Sequence, residues 1–330
     1  MSSAYVFSIL ATAAIFTLLA LSLNIITGYA GQAMMGIAAF FGTGAYTAAI
    51  ITTHGGNFFL ALLAGMVVSG VFGAVLGVIS LRLQADFLAI TTIGINFVMA
   101  ALFNSLKITG GTLGLTTSKP VVFGIRMTNM HFFIFTTILI VIVCLLITKM
   151  RHSWFGMALA SIENDPGAAR SFGINVSKYQ ILAFTIGTAL AGLTGGLYAH
   201  RMGFISASDF AFVVSIQIVS MCVIGGLGTL RGPIFGAVLL SALPEVLRFA
   251  DNYRELVYAV LLVIMVRFMP GGLLGDDSPV WKLMVKVFRK FVPRKKTRAD
   301  LIADRAAESK ALAEQEISTV ESAIEEGGQA

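Results

Sequence analysis

The sequence predicts an all-α fold, a polytopic membrane bundle of about nine helices, within a range of eight to ten. Hydrophobic residues make up 57% of the 330 residues and charged residues only 12%, whereas soluble domains carry about 25% charged residues. The first charged side chain in the chain is Arg82. A charge at the centre of a bilayer costs about 2.5 kcal/mol or more, so this long uncharged stretch indicates a protein that faces lipid.

The chain contains nine runs of the length that a membrane-spanning helix needs, which is about 20 mostly apolar residues. We predict spans at 4–27, 33–53, 57–81, 86–106, 131–149, 179–199, 209–228, 232–250 and 254–270. The second run is rich in glycine, so we expect it to be short or broken. Together the runs define a transmembrane domain over residues 1–275.

Charge is concentrated at the C-terminal end of the chain. The last 55 residues hold 10 Lys/Arg and 10 Asp/Glu, against 13 and 7 in residues 1–275. We predict a cytoplasmic tail over 276–330, with a basic amphipathic helix that begins near Trp281 and then a weakly ordered Ala/Glu-rich segment. Cytoplasmic loops collect Lys and Arg, which assigns the 149–178 loop to the cytoplasm as well and the N-terminus to the periplasm.

Motifs of catalytic chemistry are missing from the sequence. It has no Gly-Lys dipeptide, so it has no phosphate-binding P-loop, and it has no HExxH, CxxC or GxSxG. Its two thiols, Cys144 and Cys222, lie in apolar runs, which predicts buried side chains and no metal site. We therefore predict no catalytic residues and no enzyme activity. Few carboxylates fall inside the spans, which disfavours a gradient-driven carrier, although that class and a stand-alone channel stay open as alternatives.

Glycine marks two regions, residues 27–46 and 225–237, that are too glycine-dense to form one rigid helix each. Broken helices occur inside membranes where they line a cavity or are buried in protein. The fourth span adds a mildly polar face, although its hydroxyls have the alternative of bonding their own i−4 carbonyls. The candidate path residues are Gly28, Gly31, Gln32, Gly36, Gly42, Gly44, Thr91, Thr92, Asn96, Gly225, Gly226 and Gly228.

The 149–178 loop contains a short helix that the sequence delimits at both ends. Asp165 is a favoured N-cap, Pro166 suits the first helical position, and Gly173 suits the C-terminal cap. This pattern predicts a helix over 166–172. Such a helix either fills a groove on a partner protein or simply connects two spans.

Several runs, at 22–49, 81–94, 109–115, 153–200, 224–237 and 267–275, resemble the permease subunits of ABC importers for branched-chain amino acids, specifically the M-type subunit. The resemblance implies the ABC importer permease fold in a bacterial inner membrane. It implies four partners, which are a second, H-type permease, two cytoplasmic ATPase subunits and a periplasmic binding protein. ATP and Mg²⁺ would bind to the ATPase subunits, with no cofactor in this chain and no nucleic-acid partner.

The resemblance also assigns a role to the 149–178 loop, because the corresponding loop in that family docks on the ATPase. The matching residues are Glu163, Asp165, Pro166, Ala168, Ala169 and Gly173. Substrate identity stays open, since related permeases carry urea, short amides or other amino acids.

Overall fold

The computed structural model describes residues 3–80, 85–117, 120–122, 125–246, 260, 263, 267 and 272–274. These residues belong to one compact unit that runs from Met1 to Trp281. The predicted ninth span lies outside the described residues except at three positions. The amphipathic helix near Trp281 and the tail at 276–330 also lie outside them, so the boundary between the two domains stays a prediction.

The described residues form an all-helical bundle, and each helix but one lies within a few residues of a predicted span or loop helix. The helices are α1 Ser3–Asn24, α2 Ile37–Thr53, α3 Phe58–Ser80, α4 Ala85–Ser105, α5 Asn129–Arg151, α6 Trp154–Asn164, α7 Pro166–Ser171, α8 Val176–Met202, α9 Phe212–Gly225 and α10 Arg231–Val246. Thus the apolar runs, read by length alone, located the long helices of the described part, but they did not predict α6.

The number of full-length spans in the described residues is lower than the predicted nine. Six segments are long and apolar enough to cross a membrane, and they are Tyr5–Tyr29, Phe58–Ile79, Phe87–Ser105, Asn129–Arg151, Val176–Met202 and Ala207–Gly225. Two further apolar helices, Ile37–Thr53 and Arg231–Leu243, are shorter. The first of these begins at Ile37 rather than at residue 33, directly after a glycine-rich break in the backbone.

The long helix α8 occupies the middle of the bundle and packs closely against α2 and α3. At Gly44 an added Cβ would overlap the backbone of Gly192, and at Gly73 it would overlap the side chain of Thr188. Small residues let helices in a membrane approach to backbone contact and gain dispersion energy. These glycines therefore fix the spacing of the three central helices.

The two ends of the bundle differ in structure. At one end, β1 (Leu115–Thr116) pairs antiparallel with β4 (Phe204–Ile205), and β2 (Val121–Val122) pairs with β3 (Ile125–Arg126). The β1–β4 pair fastens the α4–α5 connection to the end of α8. We call this the strand end and the opposite one, which carries α6 and α7, the loop end. The strands are two residues each, so the fold class is unchanged.

Candidate translocation path and docking loop

The first glycine region is a break between α1 and α2. After Asn24 the chain continues as a π-helix, Ile25–Tyr29, and residues 31–36 follow without regular structure. Gly31 has a φ of +64°, a conformation that glycine adopts without strain. The prediction that the second span is short or broken is confirmed.

The second glycine region is also a break, between α9 and α10. Helix α9 ends at Gly225, and Gly226 and Gly228 have φ angles of +120° and +73°. The hydroxyl of Thr229 accepts a bond from Gly232 N at 3.0 Å and donates to the carbonyl of Gly226 at 2.9 Å. These bonds fasten the first turn of α10 to the end of α9.

The two breaks touch each other, although they are about 200 residues apart in the chain. The Asn24 amide donates through Nδ2 to the carbonyl of Thr229 at 2.8 Å, and its Oδ1 accepts from Gly228 N at 3.0 Å. A Cβ on Gly28 would lie 2.6 Å from Gly228 N. The two glycine regions that the sequence singled out separately therefore form one buried junction, which we call the glycine junction.

The loop end carries the predicted docking helix. The Asp165 carboxylate accepts hydrogen bonds from Gly167 N at 2.7 Å and Ala168 N at 3.0 Å, and Pro166 opens α7. Gly173, two residues after the helix ends, has a φ of +79°. The predicted helix at 166–172 is confirmed, one residue shorter.

Helix α6, which precedes α7, was missed from the sequence. Its buried residues Ala158, Leu159 and Ile162 have the three- and four-residue spacing of an amphipathic helix, and Ser153 stands at the N-cap position. This spacing was the signal that could have found it.

The loop has an apolar inner side and a largely exposed outer side. Ile162, Ala169 and Val176 are buried together in a small cluster. Phe172 is 86% exposed and Trp154 is 73% exposed, and Ala168 and Gly173 also lie at the surface. Two large aromatic side chains are thus held out from the fold on this loop.

The inner side of the loop reaches the glycine junction. A Cβ on Gly31 would lie 3.4 Å from the Cα of Glu163, and one on Gly228 would lie 3.9 Å from Glu163 Oε1. The guanidinium carbon of Arg151 lies 5.4 Å from the ring centre of Tyr29, a cation–π distance. These side chains line a cavity of about 200 Å³.

The cavity is lined by one acidic and one basic side chain, Glu163 and Arg151. Partial desolvation raises the pKa of Glu163 above its ordinary value, and the positive charge of Arg151 opposes that rise. Because desolvation dominates, the protonated form of Glu163 is favoured by this site relative to open solvent.

Three of the candidate path residues, Thr91, Thr92 and Gly36, make contacts within the fold. Thr91 donates to the carbonyl of Phe87 at 2.8 Å, so for this hydroxyl the alternative of an i−4 bond is confirmed. Thr92 accepts from Met35 N at 3.1 Å, and its carbonyl packs against Gly36. The two contacts of Thr92 fasten α4 to the first break.

The remaining candidates divide between packing and polar positions. Gly225, like Gly44, lies where an added Cβ would overlap a neighbouring helix backbone, that of Gly232. Gln32 is 4% exposed, and its Oε1 has no hydrogen-bond partner among the described residues. Gly42 faces aromatic rings near the strand end, and Asn96 donates to a carbonyl there.

A group of aromatic side chains at the strand end was not singled out from the sequence. Five of them pack together, from α2, α4, α8 and the turn before α9. They are Phe41, Tyr46, Phe103, Tyr198 and Phe210, which we call the aromatic cluster. Aromatic residues are spread through all the spans of this sequence, so composition gave no signal for this group.

Comparison with known proteins connects these features to a family. Residues 5–269 match the family model described as branched-chain amino acid transport system / permease component. The chain is 31% identical over 296 residues to the high-affinity branched-chain amino acid transport system permease protein LivM of Salmonella typhimurium, a match that covers 82% of this chain and 70% of the relative.

Two proteins of Escherichia coli K12 are also similar. LivM of that organism is 30% identical over 296 residues, which is 82% of this chain and 70% of the relative. LivH, a permease protein of the same transport system by name, is 30% identical over 129 residues, which is 38% of this chain and 41% of the relative. No solved structure matches the chain at a significant level.

Proposed function

The chain belongs to the family of branched-chain amino acid transport permease components, and on that premise we propose that it is the M-type permease subunit of an ATP-driven ABC importer for branched-chain amino acids. It is a multi-pass membrane protein, and we place it in the bacterial inner membrane. The loop end faces the cytoplasm and the strand end faces the periplasm in this proposal, as the Lys/Arg bias of the loops indicates.

The observation that carries the proposal is the match of residues 5–269 to the permease family together with a loop built for a partner. The 149–178 loop presents Phe172 and Trp154 to solvent at 86% and 73% exposure. Large exposed aromatic side chains are the usual anchors of protein interfaces. Because the loop also touches the glycine junction at Gly31, a partner bound to it acts directly on the break between α1 and α2.

The assembly that we propose has four partners. A second permease resembling LivH pairs with this chain, two cytoplasmic ATPase subunits bind ATP and Mg²⁺ and dock on the 149–178 loop, and a periplasmic protein delivers the amino acid. This division leaves the present chain without a cofactor and without catalytic residues. The lipid-facing sides of α3 and α4, with exposed Leu60, Val71 and Phe97, give apolar surface for lipid and for the second permease.

The test is ATP-dependent uptake of labelled leucine by cells that contain the complete transporter. We expect uptake to stop when this chain is deleted and when ATP is depleted. Uptake that survives ATP depletion would identify a channel or gradient-driven carrier. Competition by urea or a short amide, but not by isoleucine or valine, would assign the other substrate classes.

Docking is tested by copurification of the ATPase with a tagged chain. Phe172→Ser removes an exposed ring and should leave the fold intact while it reduces ATPase copurification about tenfold or more. Leu113→Ser is the matched control, because Leu113 is 85% exposed but lies at the strand end. Gly173→Asn should retain docking and Gly173→Pro should lose it, since Asn tolerates a positive φ and Pro does not. Normal copurification with Phe172→Ser would refute this docking surface.

A further inference from the structure

The cavity at the loop end lies between three parts of the fold. Tyr29 and Gly228 line it from the glycine junction, Arg151 from the end of α5, and Leu159 and Glu163 from α6. Arg151 and Glu163 are also exposed at the surface, so solvent reaches the cavity from the loop end. Its volume is about 200 Å³, whereas pockets for drug-sized ligands measure about 300–1,000 Å³. The cavity therefore suits a smaller molecule, such as a single amino acid.

The two charges of the cavity face the same space without pairing. The positive charge of Arg151 lowers the pKa of Glu163, so the two groups are near enough to interact. They form no ion pair with each other, although both belong to the described residues. The guanidinium of Arg151 lies over the ring of Tyr29, at 5.4 Å from its centre. A molecule with both charges can bridge the pair, because a carboxylate suits the guanidinium and an ammonium group suits the carboxylate of Glu163.

The position of Glu163 favours a cationic ligand. Glu163 lies in the last turn of α6, which ends at Asn164. The C-terminal end of a helix carries partial negative charge, which disfavours a carboxylate there and favours a cation. Desolvation adds to this effect and raises the pKa of Glu163. A cation that enters the cavity opposes both effects, so the charged carboxylate and the cation stabilise each other.

The cavity also has an apolar side, formed by Met150, Met157 and Leu159. Methionine side chains are unbranched and adapt to apolar groups of different shape. An inorganic anion would use only Arg151, and a metal cation would use only Glu163. An α-amino acid with an apolar side chain uses the whole cavity, because it combines a carboxylate, an ammonium group and an apolar body.

We infer that this cavity binds one free α-amino acid with an apolar side chain from the cytoplasm, with its carboxylate on Arg151 and its ammonium group on Glu163, and that the bound amino acid slows import. The inference rests on the proposed function, which orients the loop end toward the cytoplasm and supplies the class of amino acid. It gives the transporter a binding site for its own product, separate from the surface that docks the ATPase.

The bound amino acid slows import because of what it joins. A Cβ on Gly31 would lie 3.4 Å from the Cα of Glu163, so the backbone of α6 lies against the first glycine break. A ligand between Arg151 and Glu163 ties α5, α6 and the glycine junction together. A ligand that binds one arrangement more tightly than another shifts the population toward it. In the proposed function the ATPase acts on the junction through this loop, and a ligand that fixes the loop opposes that action.

The site is tested by equilibrium binding of labelled leucine to the purified full chain in detergent. We expect Arg151→Gln and Glu163→Gln each to weaken the affinity about tenfold or more, the usual effect of losing a hydrogen bond between charged groups. Lys149→Gln is the matched control and should bind like wild type. It removes a positive charge from the same last turn of α5, but Lys149 does not line the cavity.

Two analogues of leucine test the site without changing the protein. Isocaproate lacks the ammonium group, and leucinol lacks the carboxylate. Each should compete with labelled leucine about tenfold less well than leucine itself, because each leaves one charge of the cavity without a partner. This series uses the wild-type chain, so it tests the site even where a variant fails to fold.

The regulatory role is tested in vesicles that contain the complete transporter, with the periplasmic protein outside and ATP inside. Unlabelled leucine is enclosed at a concentration well above its dissociation constant for the chain, and enclosed isocaproate is the control. We expect internal leucine to remove most of the initial import rate for wild type and Lys149→Gln, and little of it for Arg151→Gln. Each variant is compared with itself, so a change in ATPase docking does not affect the ratio.

The outcomes separate this inference from the proposed function. If the transporter does not import leucine with ATP, the proposed function and the regulatory role are both wrong, and the binding measurements alone decide the site. If import is normal but the chain does not bind leucine, or binds it equally well with Arg151→Gln and Glu163→Gln, the site is overturned alone. Binding as expected together with import that is insensitive to internal leucine would overturn the regulatory role, because the docked ATPase then closes the cavity.

Discussion

Replacing Asn24 by leucine should destabilise the bundle, because this side chain joins the two glycine breaks. Asn24 is fully buried at the end of α1, and it bonds to Thr229 and Gly228 in the break between α9 and α10. Leucine has the same number of side-chain heavy atoms and the same branching at Cγ as asparagine, but its methyl groups make it larger. The change therefore removes two hydrogen bonds and adds some volume at a buried site.

The magnitude follows from the two backbone groups that lose their partner, the carbonyl of Thr229 and the N–H of Gly228. A buried polar group left without a partner costs about 1–3 kcal/mol, which gives about 2–6 kcal/mol for the pair. Gly228 is only partly buried, so its N–H can find water. We therefore expect a loss in the lower half of that range, about 2–4 kcal/mol of unfolding free energy.

The assay is equilibrium unfolding of the purified chain in detergent, followed by helix content. Asn164→Leu is the control, because Asn164 is exposed on α6 and its amide bonds only its own helix, at Ala160 O. Exposed substitutions of this kind change stability by about 0.5 kcal/mol or less. Equal unfolding free energies for Asn24→Leu and Asn164→Leu would refute the assignment of Asn24 as the joining side chain.

Three further predictions concern the same end of the bundle. Gly28→Ala should lower thermal stability, by about 1–3 kcal/mol of overpacking, whereas Gly94→Ala, with open space around its Cβ position, should not; melting of the two variants checks this. Asp165→Ala should cost about 1 kcal/mol of local stability in α7 by removing its N-cap, and faster hydrogen exchange of the first amides of α7 would show it. Glu163→Gln should stabilise the chain at neutral pH, because the raised pKa of Glu163 means that its charged form is disfavoured in the fold. That advantage should shrink as the pH falls through the raised pKa of the folded state, and it should vanish below the ordinary carboxyl pKa, where Glu163 is protonated in both states. Melting curves across pH would detect a wrong sign.

The sequence was sufficient for those features that depend on local chemistry. Helix α5 was predicted at 131–149 and is found at Asn129–Arg151, because an apolar run bounded by polar residues fixes a span by length alone. The cap at Asp165 was also predictable, since its partners lie two and three residues away. By contrast, the contact of Gly28 with Gly228 and the assembly of the aromatic cluster depend on how distant helices pack, which no local pattern specifies.

Glycine density in this chain has two physical causes, and the structure separates them. At Gly44 the conformation is helical and the constraint is the backbone of Gly192, which an added Cβ would overlap. At Gly173 nothing lies within 4 Å of the Cβ position, yet φ is +79°, so the constraint is the backbone itself. Alanine at Gly44 acts on helix spacing, whereas alanine at Gly173 acts on the exit from α7. A glycine-rich stretch therefore does not by itself mark a path through the membrane.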